Sequence, residues 1–275
     1  MLGVKVLFIT GLSHSGSTLL DVMLNAHPEI VSVGELKQLG RFARYEKNGL
    51  HQCTCGAESI WTCQLWSQVE ARTQATIGRS LGDLNVEDYG DTIGFGRDNV
   101  ALFNSISAAS GKQYVVDSSK HRDRLSLLIQ TPSLDVFPIF VLRDPRGQIC
   151  SSLRKRQGEL AELIYRYVAT NRDIYELVRR VPHGVVYYEE LVRQPERTLN
   201  ALLRKIGLSF DPCQLDWANQ VRHNVGGNRM RWRETSELTL DDTWREKLTL
   251  SQKLAIRTGT MLGRYPLIRL GLRGA

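Results

Sequence analysis

The chain has 275 residues, 42% of them hydrophobic, which suits one large α/β domain or two small ones with a substantial core. Its 36 Lys and Arg against 29 Asp and Glu leave a net charge of +7, and excess positive charge favours anionic partners. The basic residues are scattered, with local enrichment at 143–156 and 222–233 and no long basic tail; a nucleotide pocket accounts for them better than a nucleic-acid groove, and no nucleic-acid partner is expected. The N-terminus shows no signal-peptide pattern and no segment reaches the roughly 20 apolar residues of a membrane span. The chain is therefore expected to be cytoplasmic and without a transmembrane segment, a trimmed lumenal domain being the other reading.

Val4 to Thr10 is a short apolar run rich in β-branched residues, the pattern of a central parallel strand. The turn Gly11-Leu12-Ser13-His14-Ser15-Gly16-Ser17 follows, and a helix from Thr18 to Asn25 carries Leu19, Leu20, Met23 and Leu24 on one side. His27-Pro28 ends it, because the residue before proline resists helical geometry. A glycine- and hydroxyl-rich turn between strand and helix aims backbone N–H groups and a helix N-terminus at one spot, which binds an anion, usually phosphate. Gly11-x4-Gly16-Ser17-Thr18 nearly fits the P-loop pattern, but Ser17 stands where a kinase or ATPase has its lysine.

Ile30 to Val33 is a second strand, ending at Gly34-Glu35. Residues from about 37 to 110 read as a mostly helical insertion with a loop. Tyr114 to Asp117 is a strand followed by Ser118-Ser119-Lys120, and Val136 to Leu142 is another, followed by Arg143-Asp144-Pro145-Arg146-Gly147. Helices are expected from Gln148, over Leu160 to Val178 and over Glu196 to Ile206, with a strand at Val185 to Tyr188. Ser251 reads as the N-cap of a last helix reaching about Leu262. Strands alternate with helices throughout, so the expected fold is α/β: a P-loop-like central parallel sheet flanked by helices on both faces. A single domain over residues 1–275 is expected. In such sheets ligands sit at the carboxyl ends of the strands.

Arg143 at a strand end and Ser151 eight residues on, two turns into the helix, are spaced to clamp a phosphate between a guanidinium fork and a hydroxyl. Taken with Ser15-Gly16-Ser17-Thr18-Leu19-Leu20, this resembles the sulfotransferase family that uses 3′-phosphoadenosine 5′-phosphosulfate (PAPS), in its bacterial and tyrosylprotein-sulfotransferase-like branch. The first segment is similar to the family's 5′-phosphosulfate loop, and Arg143 with Ser151 to its 3′-phosphate motif. Val186-Tyr187-Tyr188-Glu189-Glu190-Leu191 is similar to a further family strand and helix, and His223 to Arg231 resembles a glycine- and arginine-rich loop closing over the 3′-phosphate. The resemblance covers most of the chain, from Leu7 to about Arg231.

What the resemblance implies is transfer of a sulfonate group from PAPS to a hydroxyl or amine acceptor, leaving adenosine 3′,5′-bisphosphate (PAP). Ser13, Ser15, Gly16, Ser17, Thr18, Leu19, Arg143, Ser151, Tyr188, Asn228 and Arg229 or Arg231 are the implied nucleotide ligands. The family usually has Lys or Arg where this chain has His14, which is expected to assist the leaving phosphate. Glu35, after Gly34, is the expected base for the acceptor proton, with Asp117 second; Ser119 and Lys120 are expected to contact nucleotide or acceptor. The insertion at 37–110 is expected to shape the acceptor site. The acceptor stays open among carbohydrate, peptide tyrosine, lipid and small molecules. A P-loop-type small-molecule kinase and a non-catalytic nucleotide-binding module are the alternatives.

Sulfuryl transfer requires no metal. The chain has five cysteines, and His51, Cys53, Cys55 and Cys63 supply four soft donors in a spacing unlike a standard zinc finger; zinc, a local disulfide and plain thiols are all open. Cys150 and Cys213 stand alone and read as buried apolar residues.

Overall fold

In a computed structural model, which describes residues 3–44 and 52–262, the elements follow the expected alternation. They are β1 (Lys5–Thr10), α1 (Ser17–Asn25), β2 (Ile30–Ser32), α2 (Leu39–Arg44), α3 (Gln64–Ile77), α4 (Thr92–Ser110), β3 (Tyr114–Lys120) and α5 (Arg122–Gln130). The second half adds β4 (Asp135–Leu142), α6 (Pro145–Arg154), α7 (Leu160–Val178), β5 (Gly184–Tyr187), α8 (Tyr188–Arg193), α9 (Pro195–Arg204), α10 (Trp244–Lys247) and α11 (Leu250–Leu262). The five strands form one parallel sheet in the order β2-β3-β1-β4-β5, flanked by helices. His51 lies outside the described residues.

The chain divides into two compact units. The first holds 3–10, 18–138 and 209–236. Its strands β2, β3 and β1 pair in parallel, with Tyr114 opposite both Lys5 and Ile30. They are buried almost throughout, as expected of strands covered on both faces. The 37–110 region is helical where described. Asp91 caps α4 by accepting a bond from the Gly94 N–H at 2.9 Å, and α4 packs on α3 and α5.

The second unit holds 11–17, 139–208 and the described residues from 237. Here β4 and β5 pair in parallel. Ile149, Cys150, Leu163, Trp244, Leu248 and Ile256 make a core shared by α6, α7, α10 and α11. Cys150 is buried as expected, whereas Cys213 is exposed.

Tyr188, expected at the end of a strand, opens α8, and two expected helix starts are off by more than one residue. α6 begins at Pro145, because Asp144 caps it by accepting from the Arg146 N–H at 2.8 Å and proline suits a first helical position. The cap of α11 is Thr249, not Ser251. Thr249 Oγ1 accepts from the Gln252 N–H at 3.2 Å, and Gln252 Oε1 accepts in return from the Thr249 N–H at 2.9 Å. This is a capping box whose signature lies two residues upstream of the serine.

Candidate anion and acid–base sites

The turn from Gly11 to Ser17 joins β1 to α1, and its backbone is shaped by three positive φ angles. Gly11 (φ 141°) lies so close to the Val141 carbonyl that a Cβ would sit 2.5 Å from its oxygen. Gly16 (φ 89°) is pressed against the Tyr188 ring, which a Cβ would meet at 2.5 Å. His14 is the third (φ 68°), an uncommon conformation for a side-chain-bearing residue. Ser15, Ser17 and Leu19 are buried, Ser13 is exposed, and Gly16 and Thr18 are partly exposed. The first N–H groups of α1, from Ser17 on, have no partner within the helix and carry its positive dipole end.

Arg143 is the charged centre of this region. Its guanidinium lies over the Tyr188 ring, 4.6 Å from the centroid. Nη1 donates to the His14 carbonyl at 3.0 Å, and Nη2 donates to both the carbonyl (2.8 Å) and the carboxylate (2.9 Å) of Asp241. Nε is buried and has no hydrogen-bond partner among the described residues. Gly147 matters because a Cβ there would fall 2.9 Å from that Nε. Tyr167 fixes the strand end, its hydroxyl donating to the Arg143 carbonyl at 2.7 Å, and Gln148 donates to the Ser13 carbonyl at 3.1 Å.

Sequence reasoning missed Asp241, which lies almost a hundred residues from Arg143. Burial opposes its ionisation, but hydrogen bonds from Thr243 and Arg143 outweigh that and hold its carboxyl below the usual range. Its N–H donates to the Tyr188 hydroxyl at 3.1 Å. Ser151 sits on α6 as expected, with Oγ donating back to the Gly147 carbonyl at 3.0 Å. His14 Nε2 lies 3.1 Å from Gln157 Oε1 and so acts as a donor there.

Glu35 belongs to the other unit. Gly34 (φ 76°) abuts the Val225 backbone, where a Cβ would collide with the carbonyl oxygen. The Ser118 N–H donates to the Gly34 carbonyl at 2.8 Å, and the Glu35 N–H donates to the Val225 carbonyl at 2.7 Å. The backbone at 34–35 is thus held between the end of β3 and the 224–225 segment. The Glu35 carboxylate pairs with the Lys120 ammonium, and both side chains keep some exposure (13% and 16%).

Beneath them is a group the sequence did not single out. Asp21 on α1 is buried and accepts from Ser32 Oγ (2.5 Å) and Asn224 Nδ2 (2.6 Å). Burial pushes its carboxyl up to about 6, against the opposing hydrogen bonds from Ser32, Ser118 and Asn224 and the charge of Lys120. Asp117, the second candidate base, is fully buried, with Arg124 Nε donating to it at 2.8 Å and Ser119 Oγ at 2.5 Å. Those bonds make it a core ion pair. Ser119 Oγ also accepts from the Lys37 N–H at 3.0 Å.

In the late loop, Asn228 is exposed and caps the 3-10 turn Arg229–Trp232 by accepting from the Met230 N–H at 2.8 Å. Arg229 is exposed. Arg231 is buried, bonds to the Gly226 carbonyl and lies over the Trp232 ring at 5.4 Å.

Residues 7–78, which include the Gly11–Ser17 turn, match the model of the sulfotransferase family. The chain is 22% identical over 303 aligned residues to nodulation protein NoeE of Sinorhizobium fredii, covering 97% of this chain but only 65%, just under two thirds, of that relative. In fold it is similar to the sulfotransferase domain from the Synechococcus PCC 7002 olefin synthase, with a TM-score of 0.58 and 22% identity over 96% of this chain and 95% of that one. It is also similar to the sulfotransferase domain from the curacin biosynthetic pathway, with a TM-score of 0.55 and 17% identity over 94% and 97% of the two chains. Among the described residues no helix is long and apolar enough to cross a membrane. The Gly11–Ser17 turn lies inside the segment matched by the family model, and the fold is shared with both domains along nearly the whole length of the chain.

Proposed function

We propose that the protein transfers a sulfonate group from PAPS to a hydroxyl or amine acceptor. The observation that carries this reading is Arg143: a guanidinium stacked on Tyr188, bonded to the turn at His14, with a buried Nε that lacks a partner among the described residues. That arrangement fits an anionic ligand, since an unsatisfied buried donor of a charged group is costly to keep. The donor supplies an activated sulfonate. Arg143 and Ser151 hold its 3′-phosphate, with Asn228 and Arg229 or Arg231 as further ligands; exposure favours Arg229, the one that can reorient without breaking a buried bond. The turn residues 13–19 hold the 5′-phosphosulfate through backbone N–H groups and hydroxyls, and His14 donates to the leaving phosphate as its charge develops.

Glu35 acts as the base. It takes the acceptor proton as the acceptor oxygen or nitrogen forms its bond to sulfur, and the bond from sulfur to the phosphate oxygen breaks with its electron pair left on the phosphate. Lys120 keeps the Glu35 carboxylate in place before the acceptor arrives.

Calorimetric titration with PAP, run beside ATP with magnesium, tests the reading. Binding of PAP without binding of ATP is the expected result. Preference for ATP would overturn it in favour of phosphoryl transfer, and PAP binding without any turnover of PAPS across an acceptor panel would leave a nucleotide-binding module.

A further inference from the structure

Cys53, Cys55, Cys63 and His223 come together in the first unit, and none of the five cysteines of the chain is in a disulfide. His223 comes from a segment 160 residues after Cys63; His51, the expected histidine donor, lies outside the described residues. The four candidate ligand atoms all lie within 4.8 Å of one another. Cys55 Sγ is 3.7 Å from Cys63 Sγ, and His223 Nδ1 is 3.2 Å from Cys63 Sγ and 3.8 Å from Cys53 Sγ.

These spacings are those of a tetrahedral ion's ligands. With Zn–S of about 2.3 Å and Zn–N of about 2.0–2.1 Å, the edges of a tetrahedron are about 3.8 Å between sulfurs and about 3.5 Å between sulfur and nitrogen. A disulfide would need its sulfurs about 2.05 Å apart. The backbone is also shaped for the purpose. Cys53, Thr54, Cys55 and Gly56 form a tight turn, with the Gly56 N–H donating to the Cys53 carbonyl at 3.0 Å and Gly56 at φ 93°. Cys63 is the N-cap position of α3, where the helix dipole favours a thiolate.

We propose that Cys53, Cys55, Cys63 and His223 bind one structural zinc ion. Three thiolates and one imidazole in a tetrahedron select zinc over the harder cations, which prefer oxygen. Four protein ligands leave no open position, so the ion is structural and takes no part in sulfonate transfer. Binding Zn²⁺ releases the three thiol protons to solvent and leaves a Cys3His site of net charge −1.

The ion joins two segments that local sequence does not. The cysteine loop is already tied to the His223 segment by Trp66 Nε1 donating to the His223 carbonyl at 2.9 Å and by the Asn224 N–H donating to Thr54 Oγ1 at 2.8 Å. The next residue, Val225, accepts the Glu35 N–H. Zinc therefore fixes the backbone on which Glu35 sits. This consequence rests on the reading of Glu35 as base, whereas the metal site stands without it.

The test uses the full chain, purified under reducing conditions without chelator from zinc-supplemented medium. Elemental analysis is expected to give one zinc per chain, and zinc-edge X-ray absorption three sulfurs and one nitrogen in the shell. Cys55→Ser removes a ligand at an exposed position and is expected to lower zinc affinity by more than about a hundredfold, beyond what outer-shell changes cost. His223→Ala should do the same, and His223→Cys should restore binding as a four-thiolate site. A protein that neither retains Zn²⁺ nor takes up added Zn²⁺ or Co²⁺ overturns the proposal. So does a zinc shell of different composition, which is read on the wild type and survives any folding failure of the variants. An intact mass lower by two hydrogens, locating a disulfide among the three cysteines, overturns it as well. If zinc binds as expected but its removal leaves PAPS turnover unchanged, the metal site holds and the link to Glu35 fails.

Discussion

The regions around Arg143 and Glu35 each hold an ion pair beside a buried group that its neighbours satisfy only in part, a guanidinium nitrogen in one and the Asp21 carboxyl in the other. Around Arg143 a buried guanidinium is bonded on both terminal nitrogens, yet its Nε has no partner among the described residues. Asp241 is the carboxylate paired with that guanidinium, and under the proposed function an incoming anion competes with Asp241 for it. Around Glu35 two carboxyls lie close together, Asp21 buried beneath and Glu35 above; Lys120 bonds Glu35, and Arg231 is near enough to feel the charge of both. That region suits receipt of a proton. Under the proposed function, anion binding falls to the first region and proton transfer to the second.

The largest effect is expected at Glu35. Glu35→Gln keeps the backbone bond to Val225 and a polar contact to Lys120 but removes the base, so turnover should fall by about a hundredfold or more with PAP affinity nearly unchanged. Equal loss of PAP affinity would move Glu35 from proton transfer to nucleotide binding, and near-normal turnover would remove it from the reaction.

Asp21 sharpens the electrostatic side of the comparison. Its folded carboxyl titrates at about 6 against 3.8 for the free group, so the folded state holds the proton that the unfolded state has already released. Its contribution to stability is full below the unfolded value and is lost as pH rises through about 6. Urea unfolding of wild type and Asp21→Asn over about pH 4 to 7 should show the wild type losing up to about 3 kcal/mol relative to the variant. A difference between the two proteins that does not change with pH would show that Asn224 and Ser32 compensate the buried charge in full.

How much of each region was legible follows from where its partners lie in the chain. The Gly11–Ser17 turn, the Arg143–Ser151 spacing and Gly34-Glu35 are local patterns, and each stands where a strand ends. Asp241, Asn224, His223 and Lys120 meet their partners across some eighty-five to two hundred residues, and no periodicity encodes such a meeting. His223 is such a case: it lies beside Cys53 in space from 170 residues away in sequence, and no local pattern around Cys53 points to it. The α11 cap is a local pattern too: Thr249 and Gln252 carry the capping-box signature, and Ser251 between them is a competing cap residue type.

At Arg143 the expected effects are smaller and separate two roles. Arg143→Ala removes charge-assisted bonds to an anion, worth about 1.5–3 kcal/mol, and should weaken PAP binding by about tenfold to a hundredfold; unchanged affinity would sink the assignment. Asp241→Asn gives the finest test. The Asp241 carboxylate shares Nη2 with its own backbone carbonyl and is 40% exposed, so its charge is reachable by solvent and competes with an incoming phosphate. Asparagine keeps the backbone bond and the side-chain acceptor but deletes the negative charge. An exposed ion pair is worth about 0.2–1 kcal/mol, so PAP affinity should rise by up to about fivefold, and the gain should shrink as salt screens the competing charge. A fall in affinity instead would mean that Asp241 orients Arg143 for its ligand, and that the charge deficit at Nε alone, not competition at Nη2, sets how tightly this region holds an anion.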